Sequence, residues 1–298
     1  MLQSVTAAQA IRPTSVSGTA PDDPPGASYL RDWRSGPATL PPALLRAPPP
    51  TAANDTGLAT RARENALLSA DVYRATPTPP PGFHVADAAA LDKLGLTPTM
   101  LEQPGSSFRA RVYVAGDGAD QRYVVAFRGS QDGEDWKNNA EQALGLNSVA
   151  YGKALQIGRV LARSDAAVTL TGHSLGGGLA SAAAIAAGRD ADTFNAAGLT
   201  DKTIASARSA GPATAAQVQA YHVPGEILTT LQQGGDRALA GVVFGPLGAA
   251  LGDLPEAYGV EHTLPNVRPA GASFVDGLNP VARHGMDWVL AGTGALRD

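Results

Sequence analysis

Residues 168–178 read VTLTGHSLGGG. A β-branched run passes straight into Gly172-His173-Ser174-Leu175-Gly176, and the small-residue stretch 175–187 that follows predicts a helix. A serine between glycines at a strand-to-helix seam has a specific use. The sharp turn exposes its hydroxyl above a sheet, and glycines two before and two after leave room where side chains would collide. The helix that follows turns its N-terminus toward the hydroxyl and favours developing negative charge there. The bare G-x-S-x-G pattern arises by accident in a chain with 34 glycines. Its weight comes from the strand before it and the helix after it.

The segments on either side carry the same alternation. Residues 107–130, SFRARVYVAGDGADQRYVVAFRGS, read as a hairpin: Phe108, Ala110, Val112 and Val114 alternate with polar or smaller residues, the Gly116-Asp117-Gly118 region turns, and 123–127 is nearly all apolar. Helices are expected over 60–75, 150–163 and 202–209, and strands over 167–171, 193–197 and 218–223. Strands alternating with helices define an α/β fold with a mostly parallel sheet and helices on both faces. No internal repeat is present.

Composition narrows the class. A chain of 298 residues, 44% hydrophobic and 17% charged, has enough apolar material for one large α/β domain. The net charge of −4 and interspersed signs give no basic surface for nucleic acid. The absence of cysteine excludes disulfides, cysteine zinc sites and a thiol nucleophile. The start, MLQSVTAAQAIRPTSV, has neither the basic n-region nor the long apolar h-region of a Sec signal peptide. Residues 1–57 stand apart: ten prolines between Pro13 and Pro50 predict an extended or flexible arm, with the aromatic island SYLRDWRSG at 28–36. The folded catalytic domain is expected over 58–298.

The stretch VTLTGHSLGGGLA resembles the nucleophile elbow of the α/β-hydrolase superfamily, and in particular its lipase class 3-like branch. Two further stretches carry the same resemblance. VVAFRGSQDGEDWKNN (124–139) is similar to that family's strand ending in F-R-G-S/T followed by Asp-Trp, and TFNAAGL (193–199) is similar to the strand and turn after the elbow. The resemblance spans about residues 60–298 and implies a serine hydrolase acting on carboxylic esters of lipids, with no cofactor and no metal. It implies an oxyanion hole built from the backbone N–H of Leu175 and from Ser130, with Arg128 as an anchor of that loop. Gly172 and Gly176 are the elbow glycines. The acids Asp132, Glu134 and Asp135 lack the spacing of a calcium loop and read as a solvated turn.

Ser174 needs a base, and five histidines are available. His173 lies inside the elbow and is expected to point into the packing around the turn. His84 precedes the sheet, and His222 falls within a predicted strand. The chain order Ser–acid–His leaves His262 and His284. His284, in NPVARHGMDWVL, resembles the family's terminal histidine before a helix and is the preferred base; His262, read as a loop histidine near the entrance, is the alternative. The resemblance places the acid after the strand that follows TFNAAGL. Glu226 is the first acid there, where the family often has aspartate; Asp201 and Asp236 are alternatives. On its own, Glu226 also reads as a helix-start acid.

The apolar stretch 238–252, ALAGVVFGPLGAALG, is interrupted by glycines and reads either as a lid-like insertion or as short buried helices. A lid implies a phospholipid or other aggregated lipid as substrate, with peripheral membrane contact. The Pro-rich start and PEAYGVEHTLPNV (255–267) also resemble lipase-like phospholipase effectors that bacteria deliver into rivals, which implies an immunity protein and delivery without a Sec signal. The competing readings are a soluble carboxylesterase and a non-catalytic lipid-binding member of the fold.

Overall fold

A computed structural model describes residues 52–102, 107–130, 148–212, 216–233 and 255–296. In chain order these contain α1 (Ala52–Asp71), β1 (Phe83–Val85), α2 (Ala88–Leu94), α3 (Pro98–Leu101), β2 (Ala110–Ala115), β3 (Arg122–Phe127), α4 (Ser148–Leu161), β4 (Ala167–His173), α5 (Leu175–Ala187), β5 (Ala191–Phe194), α6 (Asp201–Ala210), β6 (Val218–His222), α7 (Ile227–Gln232), β7 (Val260–Thr263), α8 (Pro280–His284) and α9 (Met286–Gly294). The strands form one sheet in the order β1 to β7. β1, β2 and β3 are antiparallel neighbours, with Ala110 opposite Phe127 and Ala115 opposite Arg122 across the hairpin. From β3 onward every pairing is parallel. This is the mostly parallel α/β-hydrolase sheet that the sequence predicts.

The pleat of the strands assigns the layers. Tyr123, Val125 and Phe127 of β3 face a core shared with α2, α4 and α5, whereas Val124 and Ala126 face Leu68 and Val72 of α1. Further along the same second face, Phe194 and Tyr221 pack with Ala62 and Ala66 of α1 and with Trp288 and Val289 of α9. Every residue of α5 is buried. A helix apolar all round belongs in an interior, and its Gly and Ala surface lets α4 approach closely. The lid-like insertion expected over 238–252, residues 1–51 of the arm expected over 1–57, and the acidic turn expected at 132–135 lie outside the described residues.

One expectation is corrected: α1 begins at Ala52, inside the arm expected over 1–57. The buried face of α1 is partly polar: Leu67 is 43% exposed, while Asn65, Ser69 and Asp71 are buried. Each polar residue has a distant partner. Arg61 clasps Asp192 through two bonds of 2.8 Å, and Asn65 donates to the same carboxylate at 2.6 Å. Ser69 meets Thr171 at 2.9 Å, and Tyr113 donates to Asp71 at 2.7 Å. A one-residue rotation of α1 would strand these groups, so they set its register on the sheet.

Gly158 of α4 lies where a Cβ would come within 2.5 Å of the Ala183 carbonyl oxygen and 2.8 Å of the Ala186 Cβ. Alanine is favoured over glycine in a helix by about 1 kcal/mol, but overpacking costs about 1–3 kcal/mol. The expected outcome is that Gly158→Ala lowers the urea midpoint; an unchanged or raised midpoint would show that α4 and α5 separate freely.

Candidate active site

β4 delivers the chain to Ser174, which sits at φ 60°, ψ −130°. For a non-glycine residue this conformation costs on the order of 1–3 kcal/mol and persists only where surroundings enforce it. They do so here through the backbone. Ser174 N–H donates to the Phe194 carbonyl at 3.0 Å, and its own carbonyl accepts from Gly177 at 2.9 Å and Ala197 at 3.0 Å. A Cβ on Gly172 would lie 2.2 Å from the Gly176 carbonyl oxygen, and one on Gly176 would lie 2.2 Å from that of Phe127. The turn therefore closes only with glycine at both positions.

Glu226 and His284 reach the same region from the far end of the chain. Glu226 caps α7, accepting from Leu228 N–H at 3.0 Å and from Thr229 N–H. His284 ends α8, a short helix started by Pro280 and capped by Asn279, whose side chain accepts from Val281 N–H at 2.9 Å. Arg283 ties the two segments together by donating to the Pro224 carbonyl at 2.7 Å. His284 Nδ1 then lies 2.6 Å from Glu226 Oε2, with both side chains buried. Burial pushes the Glu226 carboxyl up, but the charge and hydrogen bond of His284 and the Thr229 donors outweigh it and hold the group below its ordinary value. A carboxylate only accepts, so the proton of this bond belongs to Nδ1 and the neutral ring keeps Nε2 as its acceptor.

His284 is also held by its main chain. Its carbonyl accepts from His173 Nε2 at 2.7 Å and from Asn195 Nδ2 at 3.0 Å. With Nε2 donating, His173 Nδ1 accepts, and Tyr73 O–H supplies the bond at 3.1 Å. The Tyr73 oxygen in turn accepts from Gly129 N–H at 3.1 Å. Burial, and next the His284 ring nearby, push the His173 imidazole down to about 3, so it stays neutral. One continuous path thus joins the FRGS strand end, the end of α1, the elbow and His284. The placement of His173 in packing around the turn is as the sequence suggests. Asn195, held at φ 44° with its Oδ1 accepting from Val223 N–H, is visible in the sequence only as the Asn of TFNAAGL. Tyr73 carries no signal beyond an apolar position on a helix.

Ser130, Ser174, His173 and His284 line one cavity of about 420 Å³, whose remaining wall includes Tyr73, Arg74, Ala70, Val281, Met286, Asp287 and Leu290. Leu175 is the first residue of α5, so its N–H has no acceptor within the helix. Arg128 is buried and donates to the Ser107 carbonyl at 2.6 Å, anchoring the strand end beside Ser130. The other candidates lie elsewhere. His262 is on β7, not on a loop: it is 2.6 Å from Gln219 and stacked on Tyr221. His222 meets Thr263 at 2.9 Å, His84 is exposed on β1, and Asp201 starts α6. Asp236 lies outside the described residues. Among the described residues no group of three His, Cys, Asp or Glu side chains is placed to hold a metal ion, and no helix is long and apolar enough to cross a membrane.

A sheet of this topology with a glycine-flanked serine turn opening onto a cavity defines an α/β-hydrolase architecture. The chain belongs to the phospholipase-like family described as the Tle-like phospholipase domain, whose model matches residues 64–270. It is also 37% identical over 202 residues to an extracellular phospholipase A1 of Serratia liquefaciens, an alignment covering 63% of this chain and 62% of that relative. The chain therefore spans less than two thirds of the length of the curated relative it matches. Ser130, Ser174 and Glu226 fall within the family match, and His284 lies beyond its end.

The depressed Glu226 carboxyl has a pH signature. The stability it contributes is complete above its ordinary value of 4.5 and is lost as pH falls through the lower value it has in the fold. Glu226→Gln is expected to melt below wild type at neutral pH, with the gap narrowing as pH drops below about 4. A gap that stays constant through the acid range in thermal melts would refute a charge-based contribution.

Proposed function

We propose that this chain is a phospholipase that cleaves a carboxylic ester of a glycerophospholipid through an acyl-enzyme on Ser174. The observation that carries the reading is that His284, paired at 2.6 Å with the buried Glu226, lines the same cavity as the elbow serine. Ser174 Oγ attacks the ester carbonyl carbon while His284 Nε2 accepts its proton. Glu226 keeps the ring in the Nδ1–H tautomer and stabilises the imidazolium that forms. The tetrahedral oxyanion is received by Leu175 N–H, at the start of α5, and by Ser130, which lines the same cavity. Collapse expels the lyso-alcohol, which takes the proton from His284. Water then attacks the acyl-enzyme by the same route and releases a fatty acid.

Membership of a phospholipase family and 37% identity to an enzyme named phospholipase A1 support phospholipid over a soluble ester. They also support cleavage of the sn-1 acyl chain. The apolar wall formed by Ala70, Val281, Met286 and Leu290 supports an acyl chain as the occupant. The relative's designation as extracellular supports action outside the producing cell, and we extend this to use against a rival's envelope, with an immunity protein guarding the producer.

Ser174→Ala is expected to lower fatty-acid release from mixed phospholipid micelles by at least about 10³-fold with the fold retained by circular dichroism; wild-type release from the folded variant would remove Ser174 from the mechanism. Phospholipid with distinguishable acyl chains should yield the 2-acyl lyso product, and the 1-acyl product would overturn the positional assignment. Directed to the periplasm of a bacterial host, the wild-type chain should reduce viability and Ser174→Ala should not; equal survival would refute the antibacterial role.

A further inference from the structure

The wall of the cavity is electrically uneven. Arg74 stands on the α1 side, Asp287 on the α8–α9 side, and the aliphatic groups of Ala70, Val281, Met286 and Leu290 make up much of the rest. Arg74 is not a loose surface cation. Its backbone carbonyl accepts from Arg111 at 2.9 Å and Arg109 at 3.4 Å, and its guanidinium donates to Thr78 Oγ1 at 3.1 Å. The nearest carboxylate, Asp71, lies 3.9 Å away but is committed to Tyr113 at 2.7 Å and to the Thr78 N–H at 2.6 Å, and it faces Arg111 at 3.5 Å. Arg109 and Arg111 reach the Arg74 carbonyl, and Arg128 lies in the field of both. Among the described residues, these four guanidinium groups are set against the two carboxylates of Asp71 and Glu102. Burial, followed by the charge of Arg109, holds the Arg128 guanidinium below its ordinary value, as expected within a positive field.

The Arg74 side chain is 63% exposed, and the residue lines the cavity, so its charge is accessible to a ligand. A planar guanidinium matches a phosphate with two parallel N–H donors. An anion is drawn to this wall and repelled from the one carrying Asp287. We propose that Arg74 is the contact for the headgroup phosphate and so orients the lipid: phosphate toward the end of α1, acyl chain along Val281, Met286 and Leu290, and scissile ester at Ser174. This assignment rests on reading the cavity as a phospholipid-ester site. Arg74 is a specificity-determining residue, and it takes no part in bond making.

The test compares phosphatidylethanolamine with diacylglycerol of the same acyl chains in one neutral detergent micelle, using wild type, Arg74→Gln and Arg74→Lys. The ratio of kcat/KM for phospholipid to that for diacylglycerol is expected to fall about tenfold in Arg74→Gln, chiefly through KM, and to recover in part in Arg74→Lys. A ratio within about twofold of wild type, or equal loss on both substrates, would overturn the proposal while leaving the phospholipase reading intact. Hydrolysis of diacylglycerol but not phospholipid by wild type would overturn that reading and this assignment with it.

Discussion

Where β4 turns into α5 there is no space for a side chain at Gly172 or Gly176. A Cβ on either would run into backbone, that of Gly176 into the carbonyl of Phe127 at the end of β3. This steric constraint fixes three things at once. It sets the distance between β3 and the start of α5, it holds Ser174 at positive φ, and it places the start of α5 directly after the serine, where the helix N–H groups lack acceptors within the helix. The turn is then fastened by the Phe194 carbonyl and the Ala197 N–H, so β5 and the loop after it are drawn into the same arrangement. The parallel order of β3, β4 and β5 is the scaffold that lets one tight turn determine the relative positions of three segments.

The second organising device is polar. His284 is gripped through its ring by Glu226 and through its carbonyl by His173 and Asn195. The elbow thus supplies both the serine and, from the preceding residue, a support for the proposed base. Tyr73 extends the support to Gly129, next to Ser130. A buried network of this kind is stable only when every member is satisfied, and each bond named here has a donor and an acceptor assigned without conflict.

Much of the sheet was legible because its signals are local. The run into Gly172, the largely apolar β3 and the small-residue α5 each declare themselves within a dozen residues. β7 did not, because Val260–Thr263 is a short, mostly exposed strand with a polar pattern, and His262 was therefore read as a loop residue. The inner face of α1 is hidden from a sequence reading for the opposite reason. Asn65, Ser69 and Asp71 are buried against partners on strands far along the chain, and no window of sequence contains both halves of those bonds. The serine turn could be recognised from its glycines; the acid and histidine drew on resemblance and chain order. Tyr73 and Asn195 act through groups distant in sequence, so their contribution emerges only when the fold brings those groups together.

The double hold on His284 has an entropic consequence. A side chain ordered only when substrate arrives gives up rotamer freedom at that moment, and the loss subtracts from the binding energy available to the reaction. The His284 ring is confined within the fold itself, by Glu226 on one side and by a main chain held by His173 and Asn195 on the other. Its ordering is completed during folding, with the assembly of α7, α8 and the elbow. In the proposed mechanism, binding energy from the substrate can then go into placing the ester rather than into organising the group that receives the Ser174 proton.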